Sequence, residues 1–417
     1  MTEKKKWDLA ALSSIPLVMT LANSMLIPIL PLMQRKLKIS ALQTSLIITI
    51  YAGVSIVCIP IAGYLSDRFG RKLVILIGLS IAAIGGVVSS LAVWLMGHSG
   101  YWLILAGRFV QGIGAAGAFP IVLPLVGDMF KREEEVSSGL GMIETANTFG
   151  KVLSPVLGSA LALIIWYMPF AVIPVISAVS ILSVAFLVKA PKKKTPEKAD
   201  QSDRSIRAFA GSLKSLLAEK RWLYAIFAIG GIAMFITFGF LYYLSSVLED
   251  HYGIDGIVKG LLLAIPLSAI CAASFITGKI VGENKRRMKV FSVVGLLLLT
   301  AAMVLCGLVN TKALWFLLSS MFVSGVGIGL VLPSLDALIT EGIEKQERGT
   351  ITSLYSSARF IGVAAGPLIG SVLTKNETVL FYLFSGCALL CAVLAVWGVK
   401  PGKPKPGRSA EPAARAS

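Results

Sequence analysis

The chain has 417 residues, 56% hydrophobic and 15% charged, with a mean hydropathy of +0.81. A soluble domain carries about 25% charge, so this much apolar surface cannot be hidden in a water-soluble core and lipid must be its solvent. The formal charge of +17 would suit a nucleic-acid partner, but the basic residues cluster in short loops between apolar runs long enough to cross a bilayer.

Twelve helices are expected, over 9–31, 43–65, 73–95, 102–126, 138–164, 169–189, 222–247, 257–280, 289–308, 313–338, 350–374 and 378–398. With a cytoplasmic N-terminus, twenty-nine Lys and Arg fall on the inner side and six on the outer, which places both termini inside. Arg35, Lys36 and Lys38 depart from this bias, because they fall in the first outer loop. The basic start could imitate a secretory signal, but its apolar run through Pro31 is too long and many spans follow.

The first span holds Leu21-Ala22-x5-Pro28-Ile-Leu-Pro31, and Asn23 is its only amide. Between the second and third spans lies Gly63-x-x-x-Asp67-Arg68-x-Gly70-Arg71-Lys72. Gly63 permits close helix contact, Asp67 can accept hydrogen bonds from a helix N-terminus, and the three basic residues hold the loop on the cytoplasmic side. In the fourth span, Arg108 precedes Gln111, Gly112 and Gly114; an arginine at that depth costs several kcal/mol unless it meets water or a partner.

The fifth span carries Gly141-x8-Gly150-x3-Ser154-Pro155-x2-Gly158-Ser159. Pro155 removes a backbone hydrogen bond and bends the helix, and the small residues let a neighbour pack against the bend. Steps of three and four put Glu144, Asn147 and Lys151 on one face. Glu144 and Lys151 stand about 10 Å apart along the axis, too far for a direct salt bridge, so each needs another partner. Asp336 and Arg359 are further intramembrane charges. Such groups are candidates for a proton or substrate path, with interhelical ion pairing as the plain alternative.

Residues 1–189 read as a first six-helix bundle, 190–221 as a cytoplasmic linker with an amphipathic helix, 222–399 as a second bundle and 400–417 as a disordered tail. The halves repeat. Gly63-x-x-x-Asp67, Phe109-Val-Gln-Gly-Ile-Gly and Pro155-x-x-Gly158-Ser159 recur at offsets of 212–215 residues, and the last offset pairs Asn147 with Arg359. Phe235, Phe238, Phe240, Tyr242 and Tyr243 could line an apolar pocket. Five cysteines, all within spans, give no disulfide framework, and no metal cluster or other cofactor site is expected, since His98 and His251 fall in outer loops.

The Gly63–Lys72 loop resembles the signature loop of the major facilitator superfamily of secondary transporters. The fifth-span pattern is similar to the antiporter motif of its drug-proton antiporters, with Ser154 and Ser159 where the family has glycine. Arg108 stands where the fourth-helix motif of the superfamily has an arginine associated with proton coupling, and the first-span pattern is similar to one in its twelve-helix drug exporters. The resemblance implies an all-α integral membrane protein of twelve helices in two pseudo-symmetric six-helix bundles, a monomer whose partners are protons and a small-molecule substrate. It further implies alternating access and proton-coupled export of drugs or other small amphipathic compounds. Export of one natural product such as a siderophore, uptake symport on the same fold, and a non-transport receptor are the alternatives. Some of these antiporters carry an acid in the first span; this chain does not, and Glu144 is the substitute proton site. Nothing suggests an enzyme.

Overall fold

In lipid a continuous apolar run can satisfy its backbone polar groups only as a helix or in a closed barrel. The computed structural model, which describes residues 3–130, 133–189, 219–281, 284–343 and 345–399, is all-helical over those residues. Twelve of its segments are long and apolar enough to cross a membrane. In chain order the helices are α1 (Glu3–Ser24), α2 (Leu30–Leu37), α3 (Ala41–Phe69), α4 (Arg71–Met96), α5 (Tyr101–Met129), α6 (Glu133–Ile164) and α7 (Met168–Leu187). The second half contains α8 (Trp222–Asp250), α9 (Gly256–Val281), α10 (Lys285–Val309), α11 (Leu314–Gly342), α12 (Lys345–Leu373) and α13 (Glu377–Trp397). The linker helix expected at 206–217 and the tail from 400 lie outside the described residues.

The first span is longer than its apolar run suggests. It continues from α1 through a 3-10 turn, Ile27–Ile29, into α2. Pro28 and Pro31 supply no backbone N–H, which breaks the helix at Ser24 and restarts it at Leu30. Arg35 and Lys36 therefore lie on the last turn of α2 rather than in a loop, and Lys38, left-handed at φ 54°, ends it. α3 starts with a capping box in which the Ser40 hydroxyl accepts from the Gln43 N–H and the Gln43 side chain accepts from the Ser40 N–H.

The packing obeys the sequence repeat. In the first half α4 packs on α5 and α7, α3 on α5, and α1 on α6 and α7. In the second half α10 packs on α11 and α13, α9 on α11, and α8 on α12 and α13. Exchanging the halves maps one set onto the other. The close approaches repeat too: a Cβ on Gly114 would lie 2.5 Å from the Gly78 carbonyl oxygen, and one on Gly327 2.5 Å from that of Gly295. Small residues at these crossings let backbones touch, which is how helices associate without a hydrophobic driving force.

Two seams join the halves, α3 with α12 and α6 with α9, and the same exchange interconverts them. Hydroxyls stitch the first seam. Thr49 Oγ1 donates to the Ala364 carbonyl at 2.8 Å, Ser371 meets Ser45 at 3.2 Å, and Ser357 reaches the Ile56 carbonyl at 3.4 Å. At the second seam a Cβ on Gly260 of α9 would lie 2.5 Å from the Pro155 carbonyl oxygen of α6.

Candidate functional site

Gly70 is the single residue between α3 and α4 and caps both. Its φ of 103° and ψ of 135° lie where L side chains are strained, which accounts for glycine at this joint. The flanking charges make specific contacts within the first half. Arg71 pairs with Asp128 on α5 at 3.1 Å, and Lys72 donates to the Ala185 and Val188 carbonyls at the end of α7 at 2.8 and 2.7 Å. Arg68 lies over the Phe69 ring. The Asp67 side chain lies outside the described residues. Among the described residues a Cβ on Gly63 would meet nothing within 4 Å, so the close helix contact expected there is not seen. We call the end of the bundle bearing this joint the loop face.

Arg108 on α5 is fully buried. Its guanidinium donates to the Ile47 carbonyl at 2.9 Å, the Ala22 carbonyl at 3.0 Å, Gln111 Oε1 at 2.8 Å and Asn23 Oδ1 at 2.7 Å, and lies 4.4 Å from the Tyr51 ring centre. The structure thus brings Asn23, Arg108 and Gln111 together, but as a knot tying α5 to α1 and α3 inside the first half. The knot lies within the first half because α5 turns this face to α1 and α3.

The remaining expected charges meet between the halves. Asn147 Nδ2 donates to Glu144 Oε1 at 3.1 Å, and Thr20 of α1 donates to Asn147 Oδ1 at 2.6 Å. From the second half, Arg359 of α12 faces Asp336 of α11 at 4.0 Å. Lys151 lies within electrostatic reach of Glu144, Asp336 and Arg359. It also lines a cavity with about 470 Å³ of empty space, together with Pro155, Met234, Phe238, Leu263 and Leu332. Of the α8 aromatics, Phe238 lines this cavity, whereas Phe240 and Tyr243 pack edge-on against Phe381 in the second half's core.

The antiporter-like motif spreads over two surfaces of α6. Gly150 packs on Leu17 and Thr20 of α1, and Gly158 sits so close to the Met25 backbone that even a Cβ would collide. Ser154 donates to the Gly150 carbonyl at 2.6 Å and Pro155 meets α9, while a Cβ on Gly141 would meet nothing within 4 Å.

A second charged cluster lies at the end away from the loop face. Glu249, in the last turn of α8, accepts from Lys259 of α9 at 2.6 Å and is also paired with Arg35 of α2. Lys259 is 1% exposed and the Glu249 side chain 6%, while Arg35 also approaches Asp250 at 3.8 Å. Between this cluster and the cavity, Ser245 of α8 donates to the Ile27 carbonyl at 3.2 Å. The far side of the cavity is therefore closed by contacts between halves, whereas Asp336, nearer the loop face, keeps a 38% exposed side chain. Sequence reasoning missed Glu249 and Lys259 because both fall at span ends, where charge is ordinary. The one available signal was the basic excess at Arg35.

The family model of the Major Facilitator Superfamily matches residues 12–367, with a second match over 293–417. The chain is 50% identical over 399 residues to the bacillibactin exporter of Bacillus subtilis (strain 168), covering 95% of this chain and 97% of that one. It is 24% identical over 409 residues to multidrug resistance protein 2 of the same organism, covering 95% and 96%. Its fold is shared with a D-xylose-proton symporter structure at a TM-score of 0.75 and 14% identity, covering 96% and 99%. With twelve spans, two repeated bundles and a cavity between them, the chain belongs to the Major Facilitator Superfamily and is a multi-pass membrane transporter rather than an enzyme.

Proposed function

We propose that the protein is a secondary exporter of a siderophore-type natural product, resident in the cell membrane with both termini cytoplasmic. The 50% identity to the bacillibactin exporter across nearly both chains carries this reading. It outweighs the broad drug-export reading, whose support is identity of 24% to a multidrug resistance protein.

On this reading the loop face is cytoplasmic and the arrangement described above is the inward-facing one. Substrate enters from that side, where the Asp336 side chain is half-buried, and the Arg35–Glu249–Lys259 cluster holds the outer side shut. Protons entering from outside neutralise Glu144 or Asp336 and bias an existing equilibrium between the two access states. The division of the central charges between α6 and the α11–α12 pair supports this role, because any relative movement of the halves changes the electrostatic partners of each carboxylate.

The test is uptake into inside-out vesicles carrying the overproduced protein. Iron-free bacillibactin is expected to accumulate when the vesicle interior is acidic, and to leak out when nigericin collapses the gradient. Accumulation of ethidium or another drug, with none of bacillibactin, would replace this reading with multidrug export. Accumulation only under the opposite gradient would indicate symport.

A further inference from the structure

We propose that the central cavity takes an amphipathic anion and that Lys151 is the residue that recognises its acidic group. This rests on the reading of the cavity as the transport site, and it names the substrate class that the site selects.

The central charges other than Lys151 have partners. Asp336 faces Arg359 at 4.0 Å, and Glu144 is engaged by Asn147 at 3.1 Å. Among the described residues Lys151 makes no hydrogen bond or ion pair, although it lies within electrostatic reach of this group. Glu144 is two helical turns away on the same helix, about 10 Å along the axis. An ammonium at membrane depth with no fixed partner is costly and requires water or a ligand anion.

The rest of the wall sets the other half of the specificity. Met234, Phe238, Leu241, Leu263 and Leu332 are apolar, and among the described residues Lys151 is the only ionisable one lining the cavity. Thr237 also lines it, but its hydroxyl already donates to the Ala233 carbonyl at 2.7 Å. The guanidinium of Arg359 adds positive potential from the other half, set against the carboxylates of Glu144 and Asp336 outside the lining. A cation in contact with this wall would meet the Lys151 ammonium directly, and a neutral molecule would leave that ammonium unanswered. A ligand with one acidic group on an aromatic or aliphatic body fits both surfaces.

The experiment uses the full chain in lipid nanodiscs and three probes of matched shape: 2-naphthoate, neutral 2-naphthamide and cationic 2-naphthylmethylammonium. Binding is read by equilibrium dialysis against empty nanodiscs. Naphthoate is expected to bind about tenfold or more tighter than the amide, the scale of a charge-assisted hydrogen bond, and the ammonium weakest. Lys151→Gln should erase the preference by weakening naphthoate while leaving the amide within about twofold. Lys151→Arg should keep most of it. Phe238→Ala should weaken acid and amide alike, which locates both probes in the cavity. No acid preference in the wild type, or a preference that survives Lys151→Gln, overturns the proposal. If the preference holds but vesicles fail to accumulate bacillibactin, the substrate identity falls and the anion site stands. If vesicles accumulate bacillibactin but the probes show no preference, the anion assignment alone falls.

Discussion

Arg35 and Glu249 belong to different halves of the molecule and form an ion pair at the end opposite the Asp67 loop. Arg35 lies in the region of basic excess that broke the charge bias of the sequence. Glu249 is the deeper member, and Lys259 neutralises it from the same half. The carboxylate thus stays paired when the halves separate, and only Arg35 is released.

Arg35→Ala should therefore favour the outward-open state without unfolding the protein. Partly exposed ion pairs are worth about 0.2–1 kcal/mol, so the ratio of the two states should shift by up to about fivefold. Spin labels at Lys38 and Asp255 would report the separation by double electron–electron resonance. An unchanged distance distribution would remove Arg35 from the gate. Glu249→Gln should behave differently, because it leaves the ammonium of Lys259 buried without a charge partner at a cost of roughly 3–5 kcal/mol. Folded yield and melting temperature should both fall.

Glu144→Gln fixes one carboxylate in a form that mimics its protonated state. Substrate exchange without net proton movement should persist, while accumulation driven by a pH gradient is lost. Substrate-induced proton release from detergent-solubilised protein separates the candidates. Undiminished release in Glu144→Gln, together with its loss in Asp336→Asn, would transfer the proton to Asp336.

Arg108 makes four hydrogen bonds to α1, α3 and its own helix, so its removal is a stability event. A hydrogen bond to a charged group contributes roughly 1.5–3 kcal/mol. Arg108→Ala should cost at least about 3 kcal/mol and lower the melting temperature in detergent. Arg108→Lys should recover only part, because an ammonium lacks the planar fork that reaches Asn23, Gln111 and two carbonyls at once. A melting temperature equal to wild type would show the knot to be dispensable.

The fifth-span motif should divide under substitution. Gly141→Ala places its methyl in open space and should be neutral or stabilising by up to about 1 kcal/mol, the helix preference of alanine over glycine. Gly158→Ala drives the same methyl into the Met25 backbone and should cost about 1–3 kcal/mol, since α1 must move. Equal melting temperatures for the two variants would contradict the packing described here.

The twelve spans were legible because lipid forces long apolar runs into helices, and the repeat was legible because Gly63, Gly112 and Pro155 each have a counterpart at nearly one offset. The central group of Glu144, Asn147, Lys151, Asp336 and Arg359 could be found because charge at membrane depth is rare. The sequence did not say which helices Arg108 would meet, since facing α1 rather than α12 depends on helix rotation. Nor did it anticipate the break at Ser24, where Pro28 and Pro31 sat inside an otherwise continuous apolar pattern. Glu249 and Lys259 escaped notice because burial, not residue type, distinguishes them from ordinary span-end charges.

The α3–α12 seam has a mechanical consequence. Thr49, Ser357 and Ser371 cross it with hydroxyl groups. A hydroxyl can choose between a partner across the seam and a carbonyl of its own helix, as Ser371 does between Ser45 at 3.2 Å and the Leu368 carbonyl at 2.7 Å. The two helices can then slide past one another by trading one acceptor for another, with no ion pair across the seam among the described residues. The seam acts as a lubricated bearing, and it leaves the resistance to motion concentrated in the charged clasp at Glu249.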